Sequence, residues 1–573
     1  MTSPSDSWWG TGQPVPYRPA DGQWSEDGPV DPMDHVARPA FSGNPNTPIC
    51  LVGEAPSHEE MRKGFPFAGP AGGVLDRCLM SAGIDRSKVY IVNAFEGQVS
   101  KDVQGNINLE GQRVWMKDKG LTEAGLRATQ TAVARIAACQ ANVLVPLGGT
   151  ALSLVCPSTK GQIGKWRGSI LEEEGRKVIS TYHPATVCWG STHLQHVIAT
   201  DLERVREQSP FPEIRRRPRE LILDPNYLAV MLFLEKVWAE KKRFFFDLEL
   251  FGGQLSAISF SNDPGRAISI PFITKERGQR WSSREEREIM QAIAALLGNP
   301  DIPKGNQNVT FDAHILAKLY GIVVRGHLDD PMVLHSLVLP DLEKSLAFQC
   351  SWLTDVPYYK DDGGRRAWED PFRNIEAFWR YSALDAAVAL ECFEGLEKQF
   401  LGEDSPYQKT YKETMELVGP LAFMMLRGQK LDTKGLRSKR KELVDQLEEL
   451  REKLRLAHPE FGPLKKGKPT GFNADSPKQC VELFYGKLGY PAYQSKGRVT
   501  TDVHALRRLA RKGCWEARAV LQIRGLGKLI DQLNVPAPDG RFYTAYNIRG
   551  AKTGRLSSEE NEFEEGRNSQ NLT

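Results

Sequence analysis

Phe246-Asp247-Leu248-Glu249 closes a run of apolar residues. On a strand, alternate side chains share a face, so Asp247 and Glu249 can point into one pocket. Two carboxylates side by side repel each other, and cations are what hold such a pair together. An Asp-x-Glu step by itself is common in a chain of this size, but two further segments accompany it. Gly305-Asn306-Gln307-Asn308-Val309-Thr310-Phe311-Asp312 opens an apolar helix (AHILAKLYG), with Asn308 four residues before Asp312. Tyr381-Ser382-Ala383-Leu384-Asp385 lies inside a helical stretch, where positions i and i+4 share a face.

The order DxE, NxxxD, YxxxD, spread over about 140 residues, resembles the DEDDy family of 3′–5′ exonucleases, and most of all the proofreading domain of family A DNA polymerases. The resemblance implies that Asp247, Glu249, Asp312 and Asp385 hold two Mg²⁺ or Mn²⁺ ions about 4 Å apart. Such ions activate a water for in-line attack on the terminal phosphodiester and stabilise the departing 3′ oxygen. It further implies that Tyr381 orients the attacking water and that Asn308 positions the strand or the helix of Asp312. A core aromatic is the plainer reading of Tyr381, but its offset from Asp385 favours the site. His314 and His327 have no ligand spacing and read as surface or packing residues.

GEAPSHEEMRKGFPFAGPAGGVLDRCL, beginning at Gly53, resembles the first motif of the uracil-DNA glycosylase superfamily, nearest its family 4. VYIVNAF and WRGSILEEEGRKVISTYHPATV follow in the matching order. An active member flips its base out of the stack into a tight pocket. Carried over by position, Phe67 would stack on uracil and Asn93 would bond its pairing edge. Glu54, or less readily Glu60, would position water, and His183 would stabilise the leaving base. Without the resemblance, Glu54 is a capping or turn carboxylate, Phe67 a core ring and His183 a turn residue. Two departures speak against turnover. The cysteine set for an iron–sulfur cluster has no counterpart, so no cluster is expected. Ser57 also replaces the motif glycine, and its Cβ is expected to crowd a backbone that must approach the base.

The last third resembles the thumb and the start of the palm of family A polymerases, through MELVGPLAFMMLRGQKLDTKGL, FNADSPKQCVELFYGKLGYP and RFYTAYNIRGAKTGRLSS. Arg549, Lys552 and Arg555, set among Gly and Ser, suit backbone phosphate contacts, where a solvated loop is the plain reading. The segment ends at NSQNLT, before the family's nucleotidyl-transfer motifs. The expectation is therefore a chain that does not polymerise alone and is completed, if at all, by a second chain. Front, middle and last parts in this order resemble bacteriophage family A DNA polymerases. The partner so implied is DNA, as a single-stranded 3′ end and as primer–template.

These residues need elements to hold them. Apolar runs at PICLVGEAP, VYIVNAF, NVLVPLGG and KVISTY alternate with helical spacing at GGVLDRCLMSAG and EAGLRATQTAVARIAACQ, which predicts a parallel sheet covered on both faces. FFFDLEL and SAISFS read as paired strands. Leu436, Leu443, Leu447, Leu450 and Leu454 form one stripe of an amphipathic helix that packs within its own domain. At roughly 150 residues per domain, 573 residues allow three or four units.

The fold expected is multidomain α/β. A flexible tail spans 1–40, and a three-layer α/β/α glycosylase-like domain spans 41–207. A linker at 208–238 leads to a ribonuclease H-like exonuclease domain at 239–402, and a mostly helical thumb and partial palm occupies 403–573. Trp8, Trp9 and Trp24 stand out in the tail. A net charge of +3 leaves DNA binding to local basic surfaces. Nine singly scattered cysteines fit reduced thiols, and no apolar run spans a membrane. The location expected is cytoplasmic, in the host cell if the protein is viral. Two other functions compete: a uracil-DNA glycosylase of base-excision repair, and a non-catalytic DNA-binding subunit of a split polymerase.

Overall fold

In Ile49–Gly53 every residue is buried, with Ile49 and Leu51 in one apolar cluster and Cys50 and Val52 in another. A strand that buries both faces belongs in the middle of a sheet covered on both sides. The computed structural model describes residues 40–360, 371–461, 471–495, 497–535, 537, 539–561, 563 and 568. The tail expected over 1–40, with its three tryptophans, lies outside the described residues except for Ala40.

The front sheet is built from β1 (Phe41–Ser42), β2 (Ile49–Gly53) and β3 (Tyr90–Asn93), and from three later strands. Between them, β4 (Ser100–Lys101), β5 (Ile107–Leu109), β6 (Gln112–Met116) and β7 (Gly120–Leu121) form a separate antiparallel sheet. The later strands are β8 (Val143–Pro146), β9 (Leu171–Glu173) and β10 (Arg176–Val178), giving the order β1-β3-β2-β8-β10-β9. β3, β2, β8 and β10 run parallel, and β1 and β9 pair antiparallel at the edges. Helices α1 (Pro70–Ser81) and α2 (Leu194–Gln208) pack on one face through Leu75, Leu79, Ile198 and Leu202. Ile136, Leu152 and Val155 cover the other. The result is the three-layer α/β/α arrangement expected. The small sheet β4–β7 was not expected, because strands this short carry no readable period.

The middle sheet comprises β11 (Glu220–Ile222), β12 (Phe244–Phe251), β13 (Gln254–Asp263), β14 (Arg266–Pro271), β15 (Lys304–Gly305) and β16 (Leu328–Asp329), in the order β11-β14-β13-β12-β15-β16. β12, β13 and β14 form an antiparallel meander, and the outer pairings are parallel. Three helices serve the site: α3 (Val309–Tyr320), α4 (Leu346–Leu353) and α5 (Ile375–Phe400). α5 lies across the meander, with Ser259 Oγ donating to the Ser382 carbonyl at 2.7 Å.

Met1–Glu416 and Leu417–Thr573 are separate compact units. In the second, α6 (Thr433–Ala457) buries Leu443, Leu447 and Leu454 in a cluster shared with Val520 and Ile523 of α7 (Trp515–Gln532). Leu450 packs at its margin, so these four leucines serve their own domain, while Leu436 of the expected stripe is not part of the cluster. No helix among the described residues is long and apolar enough to cross a membrane.

Candidate functional sites

Asp247 and Glu249 stand on the same face of β12, opposite Ser259 and Ala257 of β13, just before a bulge at Leu250. Asp385 reaches them from the middle of α5. One carboxylate oxygen from each of Asp247, Glu249 and Asp385 lies within 4.8 Å of the others. Asp312, buried in the first turn of α3, lies close enough for its charge to act on Glu249 and for that of Asp247 to act on it. Burial, then the neighbouring negative charges, pushes Asp247, Glu249 and Asp312 well above the usual carboxylate range. Carboxylates gathered out of water disfavour one another's ionised forms.

Asn308 begins α3 in the left-handed region, at φ +65°, a conformation that Asn tolerates better than most residues. The buried Asp330 carboxylate accepts from the Val309 amide at 3.0 Å, which fixes the start of the helix that carries Asp312. Tyr381 sits one turn before Asp385, and burial and the Asp385 charge raise its pKa well above the ordinary phenol value.

Two residues that the sequence reading passed over complete this site. The Lys360 ammonium lies 2.7 Å from Asp385 Oδ2 and 3.0 Å from the Tyr381 hydroxyl, and the Tyr359 hydroxyl donates to Asp385 Oδ1. A cation thus already stands among the acids. Nothing periodic in VPYYK announces this placement, because a loop fixes it. His314 is buried in α3, and His327 pairs with Asp329 at 3.2 Å.

In the front domain Glu54 and His183 line a cavity of about 880 Å³. Glu54 is engaged on both oxygens, by Lys101 of β4 at 3.0 Å and by the Thr150 hydroxyl at 2.7 Å. His183 Nδ1 accepts from the Ala185 amide at 3.2 Å, which leaves the ring proton on Nε2, and burial lowers the pKa of the ring. Phe67 is 4% exposed and stacks on His183 at 5.7 Å, while Asn93 is 2% exposed at the end of β3. The ring assigned to a base therefore faces the histidine.

Glu60 spends its two oxygens on the backbone amides of Ser57 and Phe67. It closes a capping box with Ser57 over the helix His58–Lys63. Ser57 has φ −78°, an ordinary extended value, so its Cβ causes no backbone strain.

In the second unit Arg549, Lys552 and Arg555 fall in the connection of an antiparallel hairpin between Ala545–Asn547 and Ser557–Glu559. Lys552 and Arg555 are exposed. Arg549, at φ +53°, is half-buried beside Gly554, and burial lowers its pKa.

Comparison with known proteins follows the same three parts. Residues 41–200 match the uracil-DNA glycosylase superfamily, residues 240–400 the 3′–5′ exonuclease family, and residues 435–565 DNA polymerase family A. A type-4 uracil-DNA glycosylase of Thermotoga maritima is 31% identical over 29% of this chain and 79% of its own length. A DNA polymerase I of Chloroflexus aurantiacus is 29% identical over 47% of this chain and 29% of its own. A DNA polymerase of Bacillus phage SP01 is 22% identical over 90% of this chain and 62% of its own. The chain thus spans under a third of the Chloroflexus polymerase. Nothing in these comparisons supports a separate second chain.

Proposed function

Because the chain belongs to the uracil-DNA glycosylase superfamily over residues 41–200, with a 3′–5′ exonuclease domain and a family A DNA polymerase segment behind it, we propose that it removes nucleotides from DNA 3′ ends as a phage-type replication protein. The observation that carries this reading is the meeting of Asp247, Glu249 and Asp385, from a strand and a distant helix, around one point. The donor set is all oxygen, which suits Mg²⁺ or Mn²⁺ over softer metals. The Lys360 ammonium stands where positive charge is wanted.

In this reading Asp247, Glu249, Asp312 and Asp385 hold the two ions, which supply water activation and charge neutralisation at phosphorus. Asp247 and Glu249 are held rigidly by the β12–β13 ladder, Asp385 by α5. The Tyr381 hydroxyl orients the attacking water, and the Asn308 turn aims Asp312. Arg549, Lys552 and Arg555 grip backbone phosphates of the bound duplex.

The front domain serves as a DNA-binding module. The engagement of Glu54 by Lys101 and Thr150 favours this role over base excision. A labelled single strand tests the proposal. With Mg²⁺ present, nucleotides should leave stepwise from the 3′ end, and Asp247→Ala should slow this by ~10²–10³-fold. Abasic sites at uracil, formed without metal and unaffected by Asp247→Ala, would replace this reading with the glycosylase one.

A further inference from the structure

Tyr359 and Lys360 lie on the stretch 354–360, a strap that follows the C-terminus of α4. The strap is held from outside the exonuclease domain. Arg204, on α2 of the front domain, donates to the Ser351 carbonyl at 2.5 Å and to the Thr354 carbonyl, capping two of the last carbonyls of α4. Farther along, Trp166 of the front domain meets the Tyr358 ring edge-on at 5.6 Å. The two domains approach to backbone contact: a Cβ on Gly168 would fall 2.8 Å from the Ser351 carbonyl. From these anchors the strap runs to Asp385 and Tyr381, where Lys360 reaches both.

We propose that Lys360 is a positioning residue of the exonuclease site, a resident counter-ion that holds Asp385 and the Tyr381 hydroxyl in place, and that the glycosylase-like domain is the foundation that keeps it there through Arg204. The reading rests on the exonuclease assignment above. It gives the front domain a task in 3′-end hydrolysis that needs no glycosylase chemistry. A like charge among the ligands competes with an entering cation, so removing it favours metal binding while loosening the groups it aligned.

The test is Mn²⁺ affinity of the full chain, read by titrating free Mn²⁺ by electron paramagnetic resonance, alongside kcat and KM on a single strand. Lys360→Met should bind Mn²⁺ about tenfold tighter and lose kcat with KM little changed, and Lys360→Arg should restore much of both. Arg204→Ala should shift both quantities in the same direction by a smaller factor. Should that variant fail to fold, Arg204→Lys, which keeps the charge but gives up the forked grip, takes its place. Unchanged Mn²⁺ affinity in Lys360→Met overturns the counter-ion role. A folded Arg204 variant with parental affinity and kcat overturns the front domain's part. Asp247→Ala separates the two levels: if it leaves Mn²⁺ binding intact, the exonuclease reading itself fails. If it abolishes binding while Lys360→Met changes nothing, only this inference fails.

Discussion

The Tyr381 hydroxyl lies beside Lys360 and one turn from Asp385, and burial together with that carboxylate keeps it protonated. A neutral phenol is a poor ligand for a hard cation but a good hydrogen-bond partner for water. Tyr381→Phe should therefore leave Mn²⁺ affinity unchanged and lower kcat by ~10²-fold. A parallel loss of Mn²⁺ affinity would make the phenol a ligand instead. The acids and this phenol were singled out by the resemblance of the ordered DxE, NxxxD and YxxxD steps to the DEDDy pattern; spacing says only that period two on a strand and a four-residue step on a helix each put two groups on one face. Lys360 and Lys101 were not readable. Each enters its site from a loop or a two-residue strand, where no period says which way a side chain turns.

Two elements carry predictions of their own. The helix His58–Lys63 is held at its start by the reciprocal bonds of Ser57 and Glu60. Ser57→Ala should destabilise the protein by about 1 kcal/mol and Ser57→Gly by only a few tenths, as read from urea unfolding. Equal losses in both would show that the hydroxyl is not the cap. The second element is the helix Pro331–Val338, which buries His335 completely, with neither ring nitrogen hydrogen-bonded. Burial lowers its pKa from 6.5 to about 4. Below 6.5 the unfolded chain takes up a proton that the folded chain refuses until about 4. Stability from this group is thus complete above that window and is lost as the pH falls through it, by up to ~3 kcal/mol. His335→Phe should flatten unfolding free energy between pH 7 and pH 5 relative to the parent, and an equal slope in both proteins would place the acid sensitivity elsewhere.

Across the whole molecule, a net charge of +3 cannot hold DNA by a bulk field, so affinity must come from patches such as the 549–555 connection. Each phosphate contact adds roughly 0.7 to 0.9 to the slope of log affinity against log salt. Replacing Arg549, Lys552 and Arg555 together by Gln should reduce that slope by about 2, as measured by fluorescence anisotropy on a primer–template. An unaltered slope would return these residues to a solvated loop. The sequence by itself determined the three-part order, the parallel front sheet and the acids of the middle domain, because strand and helix periods and motif order are local properties of the chain. What only the tertiary structure decided is a set of contacts between distant residues: Glu54 taken up by Lys101, Phe67 turned onto His183, and a strap pinned by Arg204 that carries Lys360 to Asp385. Those contacts join residues far apart in sequence, and the paths of loops and very short strands follow from packing rather than from any pattern along the chain.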